Sequence, residues 1–138
     1  KAGSYPYLIK EMESGYVVAS WFQFYRGKVL FISKEHATEL HELSEDAKAL
    51  YLKEMTWVAE AVYRAYKPKK LNYELLGNTF AHLHWHIIPR HHDDPNPSRP
   101  VWEQPRHVLE SDKLAPDSPL IAELRDKINY ELGKLFGI

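Results

Sequence analysis

The sequence predicts an α+β fold: an antiparallel sheet with one long helix and a C-terminal helix. Three short β-prone runs, punctuated by Gly15 and Gly27, open the chain, and a long stretch of helical period follows. Two more β-prone runs come after that stretch, without the βαβ alternation of a parallel sheet. The 138 residues suit a single domain, 1–138, and a chain of that size buries about two-thirds of its unfolded surface.

Tyr7-Leu8-Ile9 is the first apolar run. Tyr16-Val17-Val18-Ala19-Ser20-Trp21 after Gly15 and Lys28-Val29-Leu30-Phe31-Ile32 after Gly27 are the next two, at the spacing of a meander. A polar exit, Ser33-Lys34-Glu35-His36, leads to a short helical stretch around Thr38 to Leu43. Ser44 is a good N-cap, with Glu45 and Asp46 in the first turn, where the helix dipole favours acids. Ala47, Leu50, Tyr51, Val58, Ala61, Val62 and Ala65 then form one apolar stripe to about Tyr66. Pro68 ends the helix, and Lys67, Lys69 and Lys70 read as C-terminal capping. Leu71 to Leu76 and His82 to Ile88 are the last two strands, closed by Gly77-Asn78 and by Pro89.

Seven of the nine prolines fall between Pro89 and Pro119, which reads as an extended, structureless loop wrapping the body or reaching a partner subunit. Ser118 as N-cap and Pro119 at the first helical position start the last helix, with Leu120, Leu124, Ile128, Leu132 and Leu135 as its apolar face. Helices on one face of a lone sheet leave the other face bare, and a second copy of the chain is the simplest cover.

Composition narrows the function. Eighteen basic and nineteen acidic residues leave a net charge of −1, so no strong field draws the chain to nucleic acid or an anionic membrane. No apolar run approaches the roughly 18 residues of a membrane span. The absence of cysteine excludes disulfides, thiolate zinc sites and cysteine nucleophiles. Lys1-Ala2-Gly3-Ser4 lacks a signal-peptide core and reads as an expression remnant, so a cytoplasmic location is the expectation.

The unusual feature is His82-Leu83-His84-Trp85-His86-Ile87-Ile88. On a strand, strict alternation puts the three histidines on one face and Leu83, Trp85 and Ile87 toward the core. Three imidazoles in a row are not a packing solution. Two chemistries use them: metal ligation, and nucleophilic attack on phosphorus with neighbouring donors stabilising the phosphoryl oxygens. Upstream, Gly77-Asn78-Thr79 is either a simple turn or a set of backbone, amide and hydroxyl donors for phosphate, and both can hold at once. No Glu or Asp lies in the triad strand to act as the base of a zinc hydrolase. His36 and His41 read as polar exits. His91-His92-Asp93-Asp94 has metal-ligand residue types but reads as a solvated loop, and Trp21 and Trp102 read as packing aromatics more than base-stacking platforms.

The segment Leu71 to Arg90 closely resembles the signature of the histidine triad (HIT) nucleotide hydrolases, down to the trailing Pro89-Arg90 and the glycine five residues before the first histidine. Gly27, Lys34-Glu35-His36 and the long helix are similar in layout, and Asp94 to Glu103 resembles a bacterial-type branch similar to diadenosine polyphosphate hydrolases. The resemblance implies a HIT-like five-stranded antiparallel sheet that joins a partner's to make a homodimer. It implies cleavage at the α-phosphorus of a nucleotide through a covalent nucleotidyl-histidine. By motif position, His84 would be the nucleophile, His86 would contact phosphate and His82 would buttress the network. Gly77, Asn78 and Thr79 match phosphate-binding positions, and Asn72 is a further substrate-binding candidate. Two positions depart from the family: Lys28 stands where many members carry a fourth histidine, and Ser20, with Gln23 nearby, stands where many carry a ribose-binding Asp or Asn.

The expected function is a nucleotide phosphohydrolase or phosphoramidase releasing nucleoside monophosphate from a dinucleoside polyphosphate or a nucleoside phosphoramidate. It requires no cofactor or metal, with Mg2+ entering only as counterion of a polyphosphate substrate. The alternatives are a metal-dependent hydrolase with His82, His84 and His86 as ligands, and a non-catalytic nucleotide-binding protein.

Overall fold

The computed structural model describes residues 5–138; the reading of Lys1–Ser4 as a remnant falls outside the described residues. Five strands form one antiparallel sheet in the order β1-β2-β3-β5-β4. They are β1 (Leu8–Glu11), β2 (Gly15–Ala19), β3 (Val29–Ser33), β4 (Lys70–Glu74) and β5 (His84–Arg90). The helices are α1 (Glu45–Tyr66), α2 (Arg106–Leu109) and α3 (Ser118–Phe136), with single 3-10 turns at Leu40–Glu42, Val101–Glu103 and Asp112–Leu114. Among the described residues no helix is long and apolar enough to cross a membrane.

The sequence expectation for fold class holds. Ser44 caps α1 by accepting from the Ala47 amide at 3.1 Å. Lys67 ends it in the left-handed conformation, its amide bonded to the Tyr63 carbonyl. Its buried stripe, Tyr51, Met55, Val58, Ala59, Ala61 and Val62, also carries a buried carboxylate. Glu54 accepts from both the amide and the hydroxyl of Ser14, so α1 holds the β1–β2 turn. On α3, Ile121, Leu124, Ile128 and Leu132 are buried, and the cap is Asp117 rather than Ser118: its carboxylate accepts from the Leu120 amide.

Both long helices cover one face of the sheet. Val17, Val29, Phe31, Leu71 and Ile87 meet Val58, Val62, Leu124, Ile128 and Leu132 in one continuous core. The opposite face differs from expectation. The Pro89–Pro119 segment is not structureless but folds into short helical turns, and these bring Val101 and Leu109 onto Tyr25 and Ile88 in a small second cluster. The chain therefore covers part of that face itself. The reason is polar as much as apolar. The buried Arg90 guanidinium pairs with Asp94 at 2.5 Å and donates to Asn72 Oδ1 and to the carbonyls of Arg99 and Asn96.

Candidate active site

β5 starts at His84, two residues later than the alternation predicts, and runs through Pro89 to Arg90. Proline is tolerated there although β5 lies between β3 and β4; its register partner is Leu71, and the last ladder position, Arg90, pairs with Lys70. Within the strand the alternation holds. Ile87 faces the helices, with Trp85 packed on the same core, while His84 and His86 share the other face, ring centroids 5.0 Å apart.

His82 lies just outside the strand, where backbone bonds run from Ser33 N to Leu83 O and from Leu83 N to Ala37 O. Its Nε2–H donates to the Ser33 carbonyl at 2.7 Å, and its ring sits 5.2 Å from that of His36. The backbone carbonyl of His82 in turn meets His84 Nδ1 at 2.7 Å. A carbonyl only accepts, so in the neutral imidazole of His84 it is Nδ1 that carries the proton and Nε2 that keeps the lone pair. The tautomer of the middle histidine is thus dictated by its neighbour's backbone.

His86 is set differently. Its register partners are Leu30 on β3 and Glu74 on β4. The Trp102 ring stands edge-on to it at 5.5 Å, and the Trp102 Nε1–H donates to Glu74. Lys28 Nζ lies 5.1 Å from the centre of the Trp102 ring. Burial, then the Lys28 and His84 charges, push the His86 imidazole down to about 3, so it is neutral near pH 7. Its buried Nδ1 has no partner among the described residues.

The remaining candidates separate. Gly77 adopts φ 86°, which only glycine takes without strain, and it opens an exposed loop in which the Asn78 and Thr79 side chains make no hydrogen bond among the described residues. Asn72 lies on β4 with its amide oxygen taken by Arg90. Gln23 is buried and fully used: its amide donates to the carbonyls of Ser20 and Lys28 and its oxygen accepts from the Gly27 amide. Asp94 and His91 have protein partners, Arg90 and the Arg26 carbonyl, and Asp93 pairs with Arg26 at 3.2 Å. Among the described residues no three His, Asp or Glu side chains group to hold a metal ion. Trp21 stacks on Tyr7, whereas Trp102 enters the site. Trp102 and Lys28 are the members that reasoning from the triad left at the margin.

A model of the HIT domain matches residues 7–93. The chain belongs to the HIT family. A histidine triad protein of Bradyrhizobium japonicum superposes with a TM-score of 0.72 at 31% identity, over 88% of this chain and 89% of that one. A second HIT protein, from Sinorhizobium meliloti, shares the fold with a TM-score of 0.77 at 22% identity, over 90% and 87%. In sequence, the adenosine 5′-monophosphoramidase of Schizosaccharomyces pombe is 34% identical over 76 residues, 50% of this chain. The chain spans about half the length of that curated relative, 53%.

Proposed function

We propose that this HIT protein hydrolyses nucleotide conjugates at the α-phosphorus, with His84 as nucleophile. The observation that carries the proposal is the 2.7 Å bond from His84 Nδ1 to the His82 carbonyl, which selects the neutral tautomer whose lone pair is on Nε2. The Nε2 lone pair forms a bond to phosphorus as the bond to the leaving group breaks. That electron pair departs with the leaving group, which takes a proton from solvent. Water then attacks the phosphorus, the N–P electron pair returns to Nε2, and the water's proton leaves, freeing nucleoside monophosphate. His86 is neutral and donates a ring N–H to a phosphoryl oxygen without adding charge. Gly77, Asn78 and Thr79 offer further donors, and their free exposed loop supports that role.

The monophosphoramidase activity of the Schizosaccharomyces pombe relative supports a P–N substrate; the Asp94 to Glu103 resemblance supports a dinucleoside polyphosphate. Both belong in the test. The assay offers an adenosine phosphoramidate and diadenosine tetraphosphate with chelator present, and separates the nucleotide products. Wild type is expected to release AMP, and His84→Ala to lose at least about a thousandfold in kcat/KM with an unchanged thermal midpoint. Near-wild-type turnover by that variant removes His84 from the role; activity restored only by zinc moves the chemistry to a metal.

The proposal includes a homodimer. β4 is an edge strand that carries the exposed Tyr73, the kind of edge that a second copy covers. Light scattering reads it as a mass near twice 16.2 kDa.

A further inference from the structure

Lys28 ends the β2–β3 connection. Gly27 before it takes φ 91°, and a Cβ there would stand 2.8 Å from the Tyr66 ring, so only glycine allows the turn that delivers the lysine. Val29 pairs with Ile87, Leu30 with His86 and Ile32 with His84. Extending that register by one residue puts Lys28 opposite Ile88, on the same face as the histidines. Along that face the order is His84, His86, Lys28, with Lys28 on the side of His86 away from the nucleophile. One such strand step of two residues is about 6.6 Å.

The ammonium is half-buried and carries no matching anion. Among the described residues no carboxylate forms an ion pair with it. Glu74 on β4 and Glu110, just past α2, act on it from a distance, and Glu74 is engaged by the Trp102 indole. From β5 it faces His86, which is neutral, and then His84. A partly desolvated cation with no paired anion is unfavourable unless something supplies the charge. On the same face His86 keeps a buried Nδ1 without a partner among the described residues.

We infer that Lys28 is a phosphate-binding residue that sets specificity: the row His84, His86, Lys28 fits a nucleotide whose leaving group carries phosphates of its own. The inference rests on the proposed cleavage at His84 for where the α-phosphorus lies. A phosphate chain running from His84 past His86 ends at Lys28, whereas an amine leaving group brings no negative charge there. Trp102 roofs this end and holds the ammonium against its ring face, which keeps water from screening it.

The charge of Lys28 is conditional. Burial pulls the ammonium down to about 8, with Glu74 and Glu110 partly opposing the shift. Below that pH the lysine is charged; above it the phosphate contact fades. Arginine stays charged throughout.

The test compares wild type, Lys28→Gln and Lys28→Arg. The first readout is calorimetric binding of inorganic tripolyphosphate, which needs no turnover. Wild type should bind it about tenfold more tightly than Lys28→Gln, with Lys28→Arg close to wild type. The second is the ratio of kcat/KM on diadenosine tetraphosphate to that on adenosine phosphoramidate. Lys28→Gln should lower the ratio about tenfold. In wild type the ratio should fall above pH 8, and in Lys28→Arg it should not. Equal tripolyphosphate affinity in all three proteins, or an unchanged ratio, overturns the inference. Lysine-dependent tripolyphosphate binding without turnover of either nucleotide leaves Lys28 standing and removes only the chemistry assigned to His84.

Discussion

On the face toward α1 and α3, Val17, Val29, Phe31, Ile87, Leu124, Ile128 and Leu132 are fully buried, and the polar groups that reach across are satisfied, Tyr51 by the Phe31 carbonyl at 2.9 Å, Glu54 by Ser14 and Asn129 by the Ile9 carbonyl. On the other face the cover is thin. Val101 and Leu109 seal Ile88 at one end, an Arg90 node stitches the loop down, and the histidine row lies between that cover and the exposed Gly77 to Ala81 loop. His86 Nδ1 is buried without a partner among the described residues and Lys28 is half-buried without an ion pair, and both lie on this second face. The helical face concentrates stability, and that reserve lets the other face keep groups in environments that a core would not tolerate.

The largest expected effect breaks the stable face. Phe31 is fully buried and stacks on Tyr51 with ring centroids 5.2 Å apart. Phe31→Ala should cost about 3–5 kcal/mol through lost burial and a residual cavity. Urea denaturation measures it, and a loss below about 1 kcal/mol would mean that the helical face is not where stability lies.

Next in size is the stitch on the thin face. Burial raises the Asp94 carboxyl, but the Arg90 guanidinium and the Asn96 amide outweigh it and hold Asp94 below its usual range. Arg90→Met leaves that carboxylate buried and unpaired, at a cost of about 3 kcal/mol. It should also open the Pro89–Pro119 segment to protease while the helical core stays protected. Global unfolding without prior cleavage of the segment would show that the two faces do not separate. Asp94 adds stability above its usual carboxylate range, and that stability is lost as pH falls through its lowered value.

The two faces also differ in how far the sequence disclosed them. The helical face was legible because its signals are local. Ser44, the stripe from Tyr51 to Val62 and the five β-prone runs are set by neighbours three or four residues apart, or two apart on strands. The histidine row was legible for the same reason, apart from His82. There the bond to the Ser33 carbonyl and the irregular pairing at Leu83 are tertiary events that no alternation encodes. The cover from Val101 to Leu114 was not legible. Its prolines signal extended chain, while its fold depends on Arg90 reaching carbonyls at positions 96 and 99 and on Val101 finding Ile88. Lys28 stands 58 positions from His86 and enters the site through the β3–β5 register alone.

The smallest effect sharpens the comparison most, because it asks what the chemistry face costs the fold. His86 is held neutral, its imidazole pushed from an ordinary 6.5 to about 3 by burial and by Lys28 and His84. Above pH 6.5 neither folded nor unfolded chain protonates this residue, and it contributes no pH dependence. Between 6.5 and 3 the unfolded chain binds a proton that the folded chain refuses, so stability falls as pH falls, by at most about 1.4 kcal/mol per pH unit. His86→Gln removes the titrating group. Its stability should therefore fall less steeply from pH 6.5 to 5 than that of wild type, whatever its value at pH 7. Denaturation at pH 7, 6 and 5 separates the slope from the offset. Parallel slopes in the two proteins would mean that His86 takes its proton in the folded state. The site face would then carry a charged His86 below neutral pH, and its neutral role toward the phosphoryl oxygens would fail with it.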